Sequence, residues 1–228
     1  MLVLGMSVSA ACTKTVHGKA SLPQNNTDLA HDPQITNIGV DTPVSTRKEG
    51  SSSSAGGSDA TGSDLSDYLS EKRVAVAPVS AGQGLTVSVR TPSGWKPSQT
   101  NGASQQVSIV LPSDDGVYAL MTVDVYRLSQ TPPTAELIAA AKNSINAAGN
   151  LQTPNDTPYQ GNPSTAGIVT VTTKKGSRVV EVIRYTFVQD ASPSTTYLVE
   201  SVIVCGTNNW ESMRNDLLRL DSSMSFDN

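Results

Sequence analysis

Three strand-like runs stand almost end to end in the second half of the chain: "AGIVTVTT" at 166–173, "RVVEVIRYTFV" at 178–188 and "TTYLVESVIVC" at 195–205. Each is rich in β-branched and aromatic residues, which favour a pleated, half-buried surface. The links "KKGS" and "QDASPS" are shorter than the dozen or more residues that a parallel crossover needs. These runs can therefore only form an antiparallel meander, and every other element has to be fitted around it.

Upstream lies the longest strand candidate, "VYALMTVDVYRL" at 117–128. Val117, Ala119, Met121, Val123 and Val125 alternate onto one uniformly apolar face, which is core. Tyr118, Leu120, Thr122, Asp124 and Tyr126 share the other, which is mixed. "QVSIVLP" (106–112) and "GLTVSVRTP" (84–92) read as two further strands, the latter closed by a turn at "SGW". The period then changes from 2 to 3.6 in three places. "GSDLSDYLSEK" (62–72) has Ser63 or Asp64 as N-cap and Leu65, Tyr68 and Leu69 at helical spacing. "PTAELIAAAKNSINAAGN" (133–150) starts on Pro133, stripes Leu137, Ile138, Ala141 and Ile145, and stops at Gly149. "TNNWESMRNDLLRL" (207–220) stripes Trp210, Met213, Leu217 and Leu220, with Asn208 or Asn209 as cap. A Pro-, Asn- and Thr-rich loop fills 152–164. The expected fold is α+β: an antiparallel sheet of about six strands packed between helices.

Residues 13–63 cannot belong to that core. They are dominated by Ser, Thr, Gly, Asn, Asp and Pro, culminating in "GSSSSAGGSDATGS" at 50–63, and such a segment cannot bury enough apolar area to offset its ordering entropy. It reads as a tether of roughly 50 residues with a reach on the order of 40 Å. The domain expected is 64–228, about 165 residues, ample for one core.

The ends of this tether matter for location. "MLVLGMSVSAAC" opens the chain with an apolar run and small residues before Cys12, the shape of a secretory signal. Small residues directly before a Cys resemble the lipobox of bacterial lipoproteins, in which that thiol is acylated after cleavage. Residues 1–11 are then a partial signal peptide, and 12–63 the lipidated Cys12 with its tether. No Lys or Arg precedes the apolar run, and Ser9 stands three before the Cys where the lipobox has Leu; a start placed downstream of the true one accounts for the first departure. Cys205, inside an apolar strand, reads as a buried inert thiol. No run of 18 apolar residues exists to span a membrane, so the expected location is the extracytoplasmic side of the cell membrane, held by acyl chains.

What the chain lacks narrows its chemistry. A net charge of −4 with no basic face argues against nucleic acid. Both histidines, His17 and His31, lie in the tether, leaving the domain without an imidazole for a nucleophile or a metal ligand. "STRK" at 45–48 matches S-x-x-K by chance in the tether, and Asp114 and Asp115 read as a solvated turn. No catalytic residue, metal site or cofactor is expected.

A Cys after small residues, a Ser/Thr/Gly tether, "LSDYLSE", a strand ending in "TPSGW", an Ala-rich helix and a meander before the last helix together resemble the actinobacterial LpqN/LpqT lipoprotein family. The resemblance covers residue 64 to the C-terminus, with "DYL" and "P-x-GW" as its quotable motifs. It implies a fold similar to Mog1 and PsbP and a non-enzymatic envelope protein. Some members of that family are associated with mycolate glycolipid transport and with partner proteins, so the resemblance also points to an envelope glycolipid as ligand and to envelope transport or assembly proteins as partners.

The mixed sheet face is where a ligand would sit. Tyr118, Asp124 and Tyr126 of one strand, Arg184 of a second and Glu200 of a third are the candidate ligand-binding residues, apolar walls around a few polar groups suiting an amphipathic lipid or glycolipid. The opposed reading is a half-solvated face with Arg184 paired to Asp124 or Glu200. Two other function classes stay open: a surface antigen or adaptor with no small ligand, and a hydrolase using carboxylates such as Asp124 and Glu200.

Overall fold

The computed structural model describes residues 62–113, 116–173, 176–190 and 195–227. Cys12 and the tether up to residue 61, with both histidines and "STRK", lie outside the described residues, as do Asp114 and Asp115.

In chain order the elements are α1 (Leu65–Glu71), β1 (Val76–Pro78), β2 (Thr86–Val89), β3 (Lys96–Pro97), β4 (Gln105–Ser113), β5 (Gly116–Leu128) and α2 (Thr134–Ala148). Then come β6 (Asn150–Asn155), β7 (Ser164–Thr172), β8 (Arg178–Gln189), β9 (Thr196–Gly206), α3 (Thr207–Asp221) and β10 (Met224–Asp227). Strands β7, β8 and β9 form the antiparallel meander that their short links require. β5 adds to the far side of β9, giving the order β3-β4-β5-β9-β8-β7-β6, with β1 also paired to β5. Main-sheet pairings are antiparallel throughout, so the class is α+β.

Helices cover the two faces separately. On the first, α3 lays Trp210, Leu217 and Leu220 on the odd residues of β5 and β9 and the even residues of β8. The Val117–Val125 row is buried here as its alternation demands. Trp95 and Trp210 are packing residues of the same cluster. On the second face, α1 and α2 bring Leu65, Leu69, Leu137, Ala141 and Ile145 onto Tyr126, Ile183, Phe187 and Leu198. Gly167 makes the close approach of α2 to β7 feasible, because a Cβ there would stand 2.7 Å from both Ile145 Cγ2 and Leu151 Cδ1.

Four local features differ from the expectation. The main sheet has eight strands rather than six. The strand at 84–92 does not join it: β2 pairs with β10 in a separate two-stranded sheet. Part of the 152–164 loop is the edge strand β6, exposed along most of its length and carrying Pro154, which an edge tolerates. Neither Asn208 nor Asn209 caps α3, since the helix begins at Thr207 behind Gly206. Asp64, by contrast, caps α1 as expected, its side chain accepting from Asp67 N at 2.9 Å.

Candidate functional site

The register places a polar row straight across the second face. β4, β5, β9 and β8 run side by side, and Gln105 pairs with Asp124, Asp124 with Glu200, and Glu200 with Tyr185. Directly paired residues point to the same face, so these four side chains form one line. The next same-face row is Ser108, Thr122, Val202 and Ile183, and the one after it Val110, Leu120, Val204 and Glu181. A β-bulge between Gln105 and Val107 sets this arrangement. The extra residue, Gln106, is tied to the β2 side, accepting from Val87 N at 2.8 Å and donating to Val79 O and Leu85 O.

Burial makes this row chemically unusual. Gln105, Asp124 and Glu200 are only 5, 3 and 6 % exposed, although charged groups are almost never buried unless paired. Ser104 donates to Asp124 Oδ1 at 2.7 Å and Tyr185 to Glu200 Oε1 at 3.0 Å. Burial first, then the charge of Asp124, pushes the Glu200 carboxyl up to about 7, and the Tyr185 bond only partly offsets this. Burial alone brings Glu181 up to about 7. The Tyr185 and Tyr126 hydroxyls are both held well above their ordinary value, again mainly by burial.

Gln105 Nε2 and Ser108 Oγ are buried without a hydrogen-bond partner among the described residues, whereas buried polar groups are ordinarily paired. They lie on the same face as Asp124 and Thr122, one row apart. Just beyond, the apolar cluster beneath α1 and α2 reaches only to Val202. Among the described residues, Leu120 and Val204 belong to neither apolar cluster. Both are nonetheless buried, each only 3 % exposed.

Of the residues singled out in the sequence, Asp124, Tyr126 and Glu200 converge here. Tyr118 shares their face but stands six residues from Asp124, roughly 20 Å along the strand, and is 44 % exposed. Arg184 is the clear correction. It pairs with Ser201, not with Glu200, and so points to the opposite face. There it neither meets Asp124 nor Glu200 but grips Asp221 of α3, with Nη2 at 2.5 Å and Nε at 3.0 Å from Oδ2. Its Nη1 donates to Ser164 Oγ at 3.2 Å, and the guanidinium lies 4.7 Å from the Tyr159 ring centre. The second face is also not half-solvated: apart from Tyr118, its β5 residues from Leu120 to Leu128 are buried.

Sequence reading missed Gln105, Ser104, Ser108, Tyr185 and Glu181. For Glu181 a signal existed, a lone charge inside "RVVEVIRYTFV". Gln105 and Ser108 sit on an alternating strand, where polar residues read as solvent-facing. The convergence of Asp124 and Glu200 is what a carboxylate hydrolase requires, yet each already accepts from a neighbouring hydroxyl. Among the described residues there is no group of three or more His, Cys, Asp or Glu able to hold a metal, and no helix long and apolar enough to cross a membrane. Cys205 is buried, and burial pushes its thiol up to about 12, in line with an inert core residue.

No curated protein sequence matches the chain significantly. Among solved structures, LpqN of Mycobacterium tuberculosis, described as involved in cell envelope biogenesis, superposes with a TM-score of 0.61 at 11 % identity. That match covers 72 % of this chain and 98 % of that one, a likeness of fold. The Ran-binding protein Mog1p of Saccharomyces cerevisiae aligns at 14 % identity over 67 % of this chain and 94 % of its own, with a TM-score of 0.39. Cyanobacterial PsbP from Synechocystis aligns at 12 % over 62 and 91 %, with a TM-score of 0.33. The family model described as "Probable lipoprotein LpqN" matches residues 61–224, most of the chain, and the protein therefore belongs to the LpqN family of lipoproteins.

Proposed function

We propose that this protein is a non-catalytic binding lipoprotein, anchored through acylated Cys12 on the extracytoplasmic side of the cell membrane, that holds an amphipathic lipid or glycolipid of the envelope. Three facts support the reading. The family is one of lipoproteins. A solved relative of the same fold takes part in envelope biogenesis. Small residues precede Cys12, and a polar tether follows it. The observation that carries the binding half is the pair of buried, unpartnered donors, Gln105 Nε2 and Ser108 Oγ. Leaving such groups unsatisfied costs about 1–3 kcal/mol each, a cost that a ligand oxygen would remove. The head group would meet the Gln105–Asp124–Glu200 row, with half-buried Val202 beside it.

Native mass spectrometry of the protein purified from its own host tests this directly. A co-purifying amphipathic lipid is the expected result. Absence of any lipid returns the protein to the adaptor or surface-antigen class, and recovery of the lipid in hydrolysed form points to the carboxylate enzyme instead. The anchor is tested separately by labelling cells with an alkyne fatty acid: wild type takes up label and Cys12→Ala does not.

A further inference from the structure

The chain carries a net charge of −4, yet an open groove of about 830 Å³ is lined by two arginines and, among the described residues, by no carboxylate. It lies between the end of β2, the C-terminal turn of α3 and the start of β10. Arg90 enters it just past β2 and Arg219 from α3, both exposed. Among the described residues no acid pairs with Arg90. Arg219 has Asp216 of its own helix at 3.9 Å, both side chains largely exposed, a pairing worth little. Asp221 is engaged inside by Arg184, and Asp227 lies beyond Ser225 on β10, so neither lines the groove. A helix C-terminus ordinarily repels an anion, but here its free carbonyls are occupied. Leu218 O accepts from Ser222 N, Arg219 O from Ser222 Oγ, Leu220 O from Ser223 N and Oγ, and Asp221 O from the Tyr159 hydroxyl.

These caps also decide what the lining hydroxyls can offer. Ser222 and Ser223 each give their one O–H to a carbonyl of α3, and the Ser88 and Ser225 hydroxyls bond each other at 2.7 Å. What these serines have left is chiefly lone pairs, acceptors for the O–H groups of a ligand. The guanidinium groups offer the opposite, donors alone, in a fork that fits phosphate oxygens. We infer that this groove binds a phosphate ester of a polyol. Its phosphate is met by Arg90 and Arg219, its hydroxyls donate to the serines, and its carbons lie against half-buried Val89 and Pro92. The volume is that of a small-molecule site. A free sugar phosphate and the head group of an inositol phospholipid present this same chemistry. The groove sits at the end of α3, on the face opposite the proposed lipid seat, and stands independently of that seat.

The test is calorimetric titration of the full chain with myo-inositol 1-phosphate, with myo-inositol and with inorganic phosphate. The ester should bind, and either half alone should bind about tenfold more weakly or not at all. Arg90→Gln and Arg219→Gln should each weaken the ester by about tenfold or more. Their thermal midpoints should stay at the wild-type value, since both side chains are exposed. Arg214, which stands over the Trp210 ring outside the groove, is the control, and Arg214→Gln should bind as wild type does. Flotation of the full chain carrying Cys12→Ser, so that no acyl chain contributes, on phosphatidylcholine vesicles with and without phosphatidylinositol separates the two sources. Binding of the free ester alone identifies a soluble ligand, whereas vesicle binding that needs phosphatidylinositol and both arginines identifies a lipid head group. A loss in Arg214→Gln as large as in Arg90→Gln would reduce the attraction to general surface charge and overturn the site. So would phosphate or myo-inositol binding as tightly as the ester, or a wild type that binds neither the ester nor the phosphatidylinositol vesicles. None of these outcomes bears on lipid held at the other face.

Discussion

The two faces of the sheet each bury a polar cluster, and they treat it in opposite ways. Beneath α3, Arg184, Asp221, Ser164, Ser201 and Tyr159 satisfy one another: the guanidinium is gripped through two nitrogens, and the Tyr159 hydroxyl donates to the carbonyls of Asp221 and Met224. Beneath α1 and α2, Asp124 and Glu200 face one another across β5 and β9, and Gln105 Nε2 and Ser108 Oγ lack a hydrogen-bond partner among the described residues. A network closed on itself locks an element in place, and a partly satisfied one does so less. Arg184 thus fastens the end of α3 to the sheet, whereas the second face is the one on which the proposed lipid seat rests.

The largest expected effect breaks the closed side. Arg184→Ala strands the Asp221 carboxylate in a buried site, and a loss of about 3–5 kcal/mol in urea unfolding is expected. Converting both partners, Arg184→Met with Asp221→Leu, should recover most of that loss, because the cost lies in the uncompensated charge. A double variant as unstable as the single one would mean that packing, not the ion pair, is lost.

The acidic side should respond to pH in the reverse sense from an ordinary salt-bridged carboxylate. Glu181 and Glu200 sit near 7 in the fold against 4.5 unfolded. The native state therefore binds more protons between those values, and stability falls as pH rises from about 4.5 to about 7. Glu181→Gln should flatten part of this decline and gain on the order of 1–3 kcal/mol at alkaline pH. A stability curve that rises over this interval would contradict the burial assigned to both carboxyls.

Helix placement over the second face is tested by Gly167→Ala. The new methyl would press on Ile145 and Leu151, and a cost of about 1–3 kcal/mol is expected, read as a lower thermal midpoint. The smallest effect has the opposite sign: Ser108→Ala deletes an orphaned hydroxyl and should be neutral or stabilising by about 1 kcal/mol in the ligand-free protein.

The elements of this comparison were unequally legible in the sequence. β7, β8 and β9 announce themselves through short links and dense β-branched residues, and β5 through strict alternation, so local signals sufficed. β10 is four residues, "MSFD", whose partner β2 lies more than a hundred positions away; nothing local marks such a pairing. The error over Arg184 has a geometric cause. Whether residue 184 shares a face with residue 124 depends on the registers of β8 with β9 and of β9 with β5, and a slip of one residue flips a strand. Asp124 and Glu200 could be singled out because alternation puts each on the mixed face of its own strand. Gln105 reaches its face through a bulge, which alternation cannot foresee.

The central claim is that unmet hydrogen bonds on one face mark a lipid seat, and comparing lipid carried through purification by wild type, by the Ser108→Ala and Gln105→Leu double variant, and by the Arg184→Met and Asp221→Leu double variant tests it most directly. Native mass spectrometry should find lipid on wild type and on the variant of the closed cluster. The variant lacking the two donors should emerge empty, with a thermal midpoint no more than a few degrees below that of wild type. Lipid retained in full by that variant, or lost only from the Arg184 and Asp221 variant, would contradict the assignment of the two faces.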